Sequence, residues 1–198
     1  ALAAPIALSI GSASAADAPK PTQDTTADFK VNTEVDPTDP SKPNGQVLLE
    51  KVPSFNFGTI DAADLISGVK AKAATADDQV LEVSDLRSEA TDAWNVSAKM
   101  TQFKGATSNL DGQLDLAAKA TGLATASDVN IALPTTNQTT SIASKAAGTH
   151  GVTDYTFAGA ENTLTTTANA AATFTKDEAV SATITWTLNG ASVDPASL

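Results

Sequence analysis

The chain has 198 residues, with 12 Lys and Arg against 23 Asp and Glu, a formal net charge of −11 at pH 7, and no cysteine. That balance excludes nucleic acid and anionic lipid as partners, because holding phosphates takes a clustered basic surface. With no disulfide staples available, a domain of this length has to stand on its hydrophobic core. At 41% hydrophobic but only 5% aromatic residues, that core must be built from small and β-branched side chains.

Residues 1–16 are uncharged and apolar and end in Ala-Ser-Ala-Ala. They read as the tail of a secretory signal with an Ala-x-Ala site, cleaved after Ala15 or Ala16. No other segment reaches the ~18 apolar residues of a membrane span. Residues 17–28 are polar and proline-bearing, a flexible lead. Phe29, Val31, Thr33 and Val35 then alternate with Lys30, Asn32 and Glu34, the two-residue period of a strand. Pro37, Pro40 and Pro43 forbid a regular ladder over 36–45, which reads as a surface loop. A calcium loop there fails because Pro40 and Lys42 stand where oxygen ligands are needed.

From Val47 onward the chain is a series of short alternating runs separated by Gly, Asp, Asn and Ser. Strands are expected near 47–50, 55–57, 68–74, 80–85, 94–103, 113–117, 128–133, 140–144, 152–158, 164–174 and 180–188. Many short strands at this spacing predict an all-β, antiparallel β-sandwich, immunoglobulin-like or related, as a single domain over 29–198. The one helical candidate is 62–67. The Ala-rich run 117–126, broken by Gly122, reads as a loop. Lys70 and Lys72 alternate with Val69, Ala71 and Ala73, which fits either a lysine guard on an edge strand or an ordinary solvated face.

The two strands with the longest alternation hold both tryptophans. In one, Trp94, Val96, Ala98 and Met100 share a parity. In the other, Val180, Ala182, Ile184, Trp186 and Leu188 do. Each contains Trp, any residue, then an aliphatic: Trp94-Asn95-Val96 and Trp186-Thr187-Leu188. This pair, with Val83-Ser84-Asp85-Leu86-Arg87 and Phe55-Asn56-Phe57-Gly58, resembles the WxL domain of Gram-positive surface proteins, over most of the chain from Phe29 on. Two positions depart from the usual pattern: Val180 stands where many members have Tyr, and Ala191-Ser192 where Ala-Pro often follows the last strand. The resemblance implies a secreted, non-catalytic domain without cofactor. Its partner would be cell-wall polysaccharide or peptidoglycan, bound non-covalently, in some cases beside another cell-surface protein. An adhesion module binding a surface protein or host matrix component is the alternative.

Parity places Trp94, Val96, Trp186 and Leu188 on inward rows, so all four are expected in one core. Exposed rings stacking on sugars are the competing reading. The outward row Ser181, Thr183, Thr185, Thr187 with Asn189 is a hydroxyl-rich strip suited to hydrogen bonding with polysaccharide or with another strand, or else a plain solvated face. Asp85 and Arg87, two apart on one face, are expected to form a structural ion pair, with a ligand role for Arg87 as the other reading. The single histidine, His150, sits in a glycine-flanked turn and cannot make a common zinc site without cysteine. Asp61 with Asp64, and Asp77 with Asp78, stand in turn contexts with no aromatic cleft around them, so enzymatic acid–base work is not expected. A lysine–asparagine crosslink would need a lysine on an apolar face. Lys99 points outward by alternation, and Lys51 is ambiguous.

Overall fold

The computed structural model describes residues 24–27, 29–30, 47–75, 78–86, 93–123 and 126–189. Contacts divide the chain into a short unit, Ala1–Val31, and a main unit, Asn32–Leu198. In the first, the described residues carry no regular structure and are exposed, Phe29 to 87%. The expected signal tail, the strand positions 31–35, the proline loop 36–45, Asp77 and Arg87 all lie outside the described residues.

The main unit is all-β. Its strands are β1 (Val47–Lys51), β2 (Lys72–Ala73), β3 (Gln79–Asp85), β4 (Trp94–Met100), β5 (Phe103–Lys104), β6 (Asn109–Leu110), β7 (Gly112–Thr121), β8 (Val129–Pro134), β9 (Thr140–Lys145), β10 (Gly151–Phe157), β11 (Thr163–Thr166) and β12 (Ile184–Asn189). One helix, α1 (Ala62–Ser67), and a 3-10 turn, η1 (Gly159–Glu161), complete the described elements. Every pairing is antiparallel. The larger sheet runs β1-β3-β10-β7-β11-β2 with β8 on the other side of β7, and the smaller runs β12-β4-β9.

Alternation drives this arrangement. Leu81 and Val83 of β3, Tyr155 and Phe157 of β10, and Leu114 and Leu116 of β7 share one face and are at most 2% exposed. They join Trp94, Val96 and Met100 of the smaller sheet in one core cluster, which makes the unit a sandwich. The long strand β7 changes partner midway, from β10 at Thr121–Lys119 to β11 at Asp115–Gly112. Asn162 fills the gap between them. Wholly buried, it accepts from the Ala117 N–H at 2.9 Å through Oδ1 and donates from Nδ2 to the Ala158 carbonyl at 2.7 Å. One amide side chain thus satisfies backbone groups that the broken ladder leaves over.

Several expected strands differ from what forms. The Ala-rich run 117–126 is not a loop throughout, since β7 continues to Thr121. At Gly122 (φ +103°) a Cβ would come within 2.2 Å of the Val152 carbonyl oxygen, so glycine is required where β7 ends. The run 164–174 is strand only to Thr166, 68–74 only at Lys72–Ala73, and 94–103 is interrupted after Met100. The stretch 55–57 pairs with no strand. It is held instead by the Thr75 N–H to the Asn56 carbonyl at 2.8 Å, and by the Phe55 ring standing edge-on to Phe157 at 5.7 Å. The expected helix matches α1, and exposed Lys72 lies on β2, an outer strand of the larger sheet, as an edge guard would.

Candidate functional site

The smaller sheet brings the two tryptophan motifs side by side. β12 runs antiparallel to β4 with Leu188 opposite Val96, Trp186 opposite Ala98 and Ile184 opposite Met100. The Val96–Leu188 pair therefore lies between the two Trp positions along the sheet, and the small Ala98 leaves room for the Trp186 ring. Trp94 and Val96 are buried, at 2% and 0% exposure. Trp186 and Leu188 face the same core but are only half-buried. That corrects the expectation of four fully buried side chains. β4 is central and covered, whereas β12 is the outer strand and its inward row is left partly open.

The opposite face of this sheet is polar. Ser181, Thr183, Thr185, Thr187 and Asn189 are all exposed. Ser181 and Thr183 come before β12 itself. Ser181 pairs by backbone with Lys104, at 2.7 and 3.1 Å, and the Thr183 N–H donates to Thr101 Oγ1 at 3.0 Å. The strip widens across the sheet through Asn95, Ser97 and Lys99 of β4 and Ser141 and Ser144 of β9. Asn95 Nδ2 donates to Ser141 Oγ at 2.7 Å, and Asn189 Nδ2 reaches Ser97 Oγ at 3.5 Å. None of the three strands contains an Asp or Glu, and among their residues Lys99 is the only charge on this outer face. On a chain of net charge −11 this is a distinctly acid-free surface.

The sequence reading missed Lys145. Between Val96 and Ser97 the β4–β9 register shifts by a bulge, so Ile142 and Ala143 both turn inward and parity is reversed beyond them. Lys145 is thereby carried into the core, where Nζ meets Asp85 Oδ2 at 3.0 Å, with side chains 2% and 0% exposed. It also donates to the Thr149 carbonyl. The ion pair ties β3 of the larger sheet to β9 of the smaller. Asp85 thus pairs with Lys145; the expected pair of Asp85 with Arg87 involves a residue outside the described ones.

A second charged row runs across the outer face of the larger sheet, where Glu82 stands opposite both Lys51 and Asp154. Lys51 bonds Glu82 at 3.1 Å and holds its carboxyl below the usual range, with help from Asp154. Burial, and then Glu82 itself, push the Asp154 carboxyl up. Two facing carboxyls can hydrogen-bond only if one keeps a proton, and Asp154 is the one disposed to keep it. A folded-state pKa raised above the unfolded value adds stability below the unfolded pKa and loses it as pH rises through the folded value. Asp154→Asn, neutral at every pH, is therefore expected to raise the melting temperature at pH 7, with the gain shrinking as pH falls towards 4. Thermal melts of both proteins from pH 4 to 8 check this; a gain that grows on acidification would refute it.

His150 is exposed. The Asp61 carbonyl accepts the Asp64 and Leu65 N–H groups at the start of α1. Among the described residues no cluster of His, Asp and Glu could hold a metal ion. The assembled feature is instead an all-β scaffold presenting one broad polar face whose three strands carry no Asp or Glu. The family model described as WxL domain, surface cell wall-binding, matches residues 12–191, and the chain belongs to the WxL family. Searches of curated proteins and of solved structures gave no match. As a member, this is a domain of the cell surface or cell wall. Among the described residues, no helix is long and apolar enough to cross a membrane.

Proposed function

We propose that this domain is a secreted, non-catalytic anchor that attaches non-covalently to peptidoglycan or an associated polysaccharide. The contact surface is the outer face of the β12-β4-β9 sheet. The observation that carries this reading is the set of exposed hydroxyl and amide groups of Thr185, Thr187 and Asn189 on β12 and Ser141 and Ser144 on β9, joined across β4 by half-buried Asn95 and buried Ser97, with no carboxylate among them. A sheet face of hydroxyl and amide groups, which both donate and accept, suits sugar hydroxyls. The lack of acid there limits repulsion from anionic wall polymers, which the rest of a −11 chain would feel.

The test is sedimentation of the purified domain with wall sacculi, before and after removal of teichoic acids. Wild type should pellet, and more of it as salt rises, because screening weakens the long-range repulsion while short-range hydrogen bonds persist. Thr187→Asp and Ser141→Asp, both at exposed positions, should melt within about 1 kcal/mol of wild type and release the domain into the supernatant. Binding that both variants retain, or that weakens steadily with salt, would assign attachment to another surface.

A further inference from the structure

The outer strand β12 has one hydrogen-bonding edge paired and one open. The Thr101 N–H donates to the Thr183 carbonyl, and the Met100 carbonyl accepts from Asn137 on the far side of β4. By the alternation of an antiparallel ladder, Thr185, Thr187 and Asn189 spend their backbone groups on β4, and Ile184, Trp186 and Leu188 direct theirs outward. Among the described residues nothing pairs with them. The outer strands of the larger sheet carry charge, Glu50 and Lys51 on β1 and Lys72 on β2, and β8 ends in Pro134. β12 has neither charge nor proline. Unguarded edges of this kind are ordinarily avoided.

Beneath the same edge the two sheets part. A groove of about 960 Å³ opens between β12 and the 52–62 stretch, with Phe55, Phe57, Phe174, Val180, Ile184 and Trp186 along its walls. All six are half-buried. Two of the three residues that offer free backbone groups, Ile184 and Trp186, thus also turn their side chains into the groove. Its rim is acidic, with Asp61, Asp177 and Glu178 against Lys176. Glu178 stays ionised because the Thr175 and Ala106 N–H groups bind its carboxylate.

We propose that the open edge of β12 and the groove below it receive an extended strand of another polypeptide, added antiparallel, with apolar residues at alternate positions and basic residues at its ends. Backbone bonds to Ile184, Trp186 and Leu188 supply affinity, and alternate side chains entering the groove supply selectivity. The acidic rim selects the basic ends. A second copy of this chain is a poor occupant, because each copy carries −11.

The probe is a synthetic peptide, Lys-Thr-Val-Thr-Ile-Thr-Val-Thr-Lys, titrated into the full chain. In antiparallel addition the Val and Ile residues face both the groove and the β12 edge. N-methylating them should weaken binding about 10- to 100-fold, whereas N-methylating the threonines should leave it unchanged. Amide hydrogens of Ile184, Trp186 and Leu188 should exchange quickly in the free protein and slowly with peptide bound. Ala182→Trp, which fills the groove without touching the ladder, should abolish binding while sacculus sedimentation is kept, separating this site from the polar face. No binding, equal loss from both methylated series, or the reverse preference overturns the proposal. So does a concentration-dependent dimer that protects these amides without peptide, which would make the occupant a second copy.

Discussion

Replacing Lys145 by Met should destabilise the domain by about 3–5 kcal/mol, since breaking a buried ion pair from one side loses the attraction while the desolvation cost of the remaining charge stays. Neither side chain can turn to water, at 2% and 0% exposure, and the bond at 3.0 Å spans the two sheets of the sandwich. A domain's whole stability is ~5–15 kcal/mol, so the single variant approaches the limit of folding. Replacing both partners behaves differently. Asp85→Leu with Lys145→Met removes two desolvation penalties together and should recover much of the loss. Lys119, paired with Asp128 at 2.9 Å but 74% exposed, is the control, and its replacement should change little. Denaturant unfolding of the four proteins decides the matter. A Lys145→Met variant within about 1 kcal/mol of wild type would show that the ammonium contributes little to holding the sheets together.

That pair also marks where the sequence stops being legible. Period-two alternation located β3, β4, β9, β10 and β12 and separated inward from outward residues on β4, because one face of each strand is buried and a register slip would expose it. Alternation assumes an unbroken ladder. The bulge opposite Val96 and Ser97 leaves little mark in Ser141-Ile142-Ala143-Ser144-Lys145, where strict alternation from Ile142 would turn Lys145 outward. Two adjacent apolar residues, Ile142 and Ala143, are the only local trace of the reversed parity. The half-burial of Trp186 was hidden for another reason. Parity says which way a side chain points, whereas the depth of cover depends on whether its strand is central or outer, and that is fixed by pairings distant in sequence. The polar strip showed the converse limit. Its β12 residues were legible as a row, but its extension through Asn95, Ser97, Ser141 and Ser144 required knowing that β4 and β9 lie beside them.

The two tryptophans should consequently separate in their effects, although their motifs look alike. Trp94→Ala removes a side chain 2% exposed in the centre of the core, where truncation of a large aromatic costs about 3–5 kcal/mol; it should lose wall binding by losing the fold. Trp186→Ala removes a half-buried ring from the open side of the sandwich and should fall below that range, leaving a folded domain whose polar face still binds sacculi. Trp94→Phe refines the comparison. Trp94 Nε1 is buried with no hydrogen-bond partner, so the indole N–H is itself a penalty that phenylalanine removes, and the variant should lie much closer to wild type than Trp94→Ala. Thermal unfolding run beside sedimentation of each variant distinguishes these cases. If Trp186→Ala melts as low as Trp94→Ala, the side chain is as deep in the core as its parity alone suggests and the open groove beside β12 closes in solution. If it melts like wild type but no longer sediments, the ring itself touches the wall, and the binding surface moves from the threonine face of β12 to the tryptophan face.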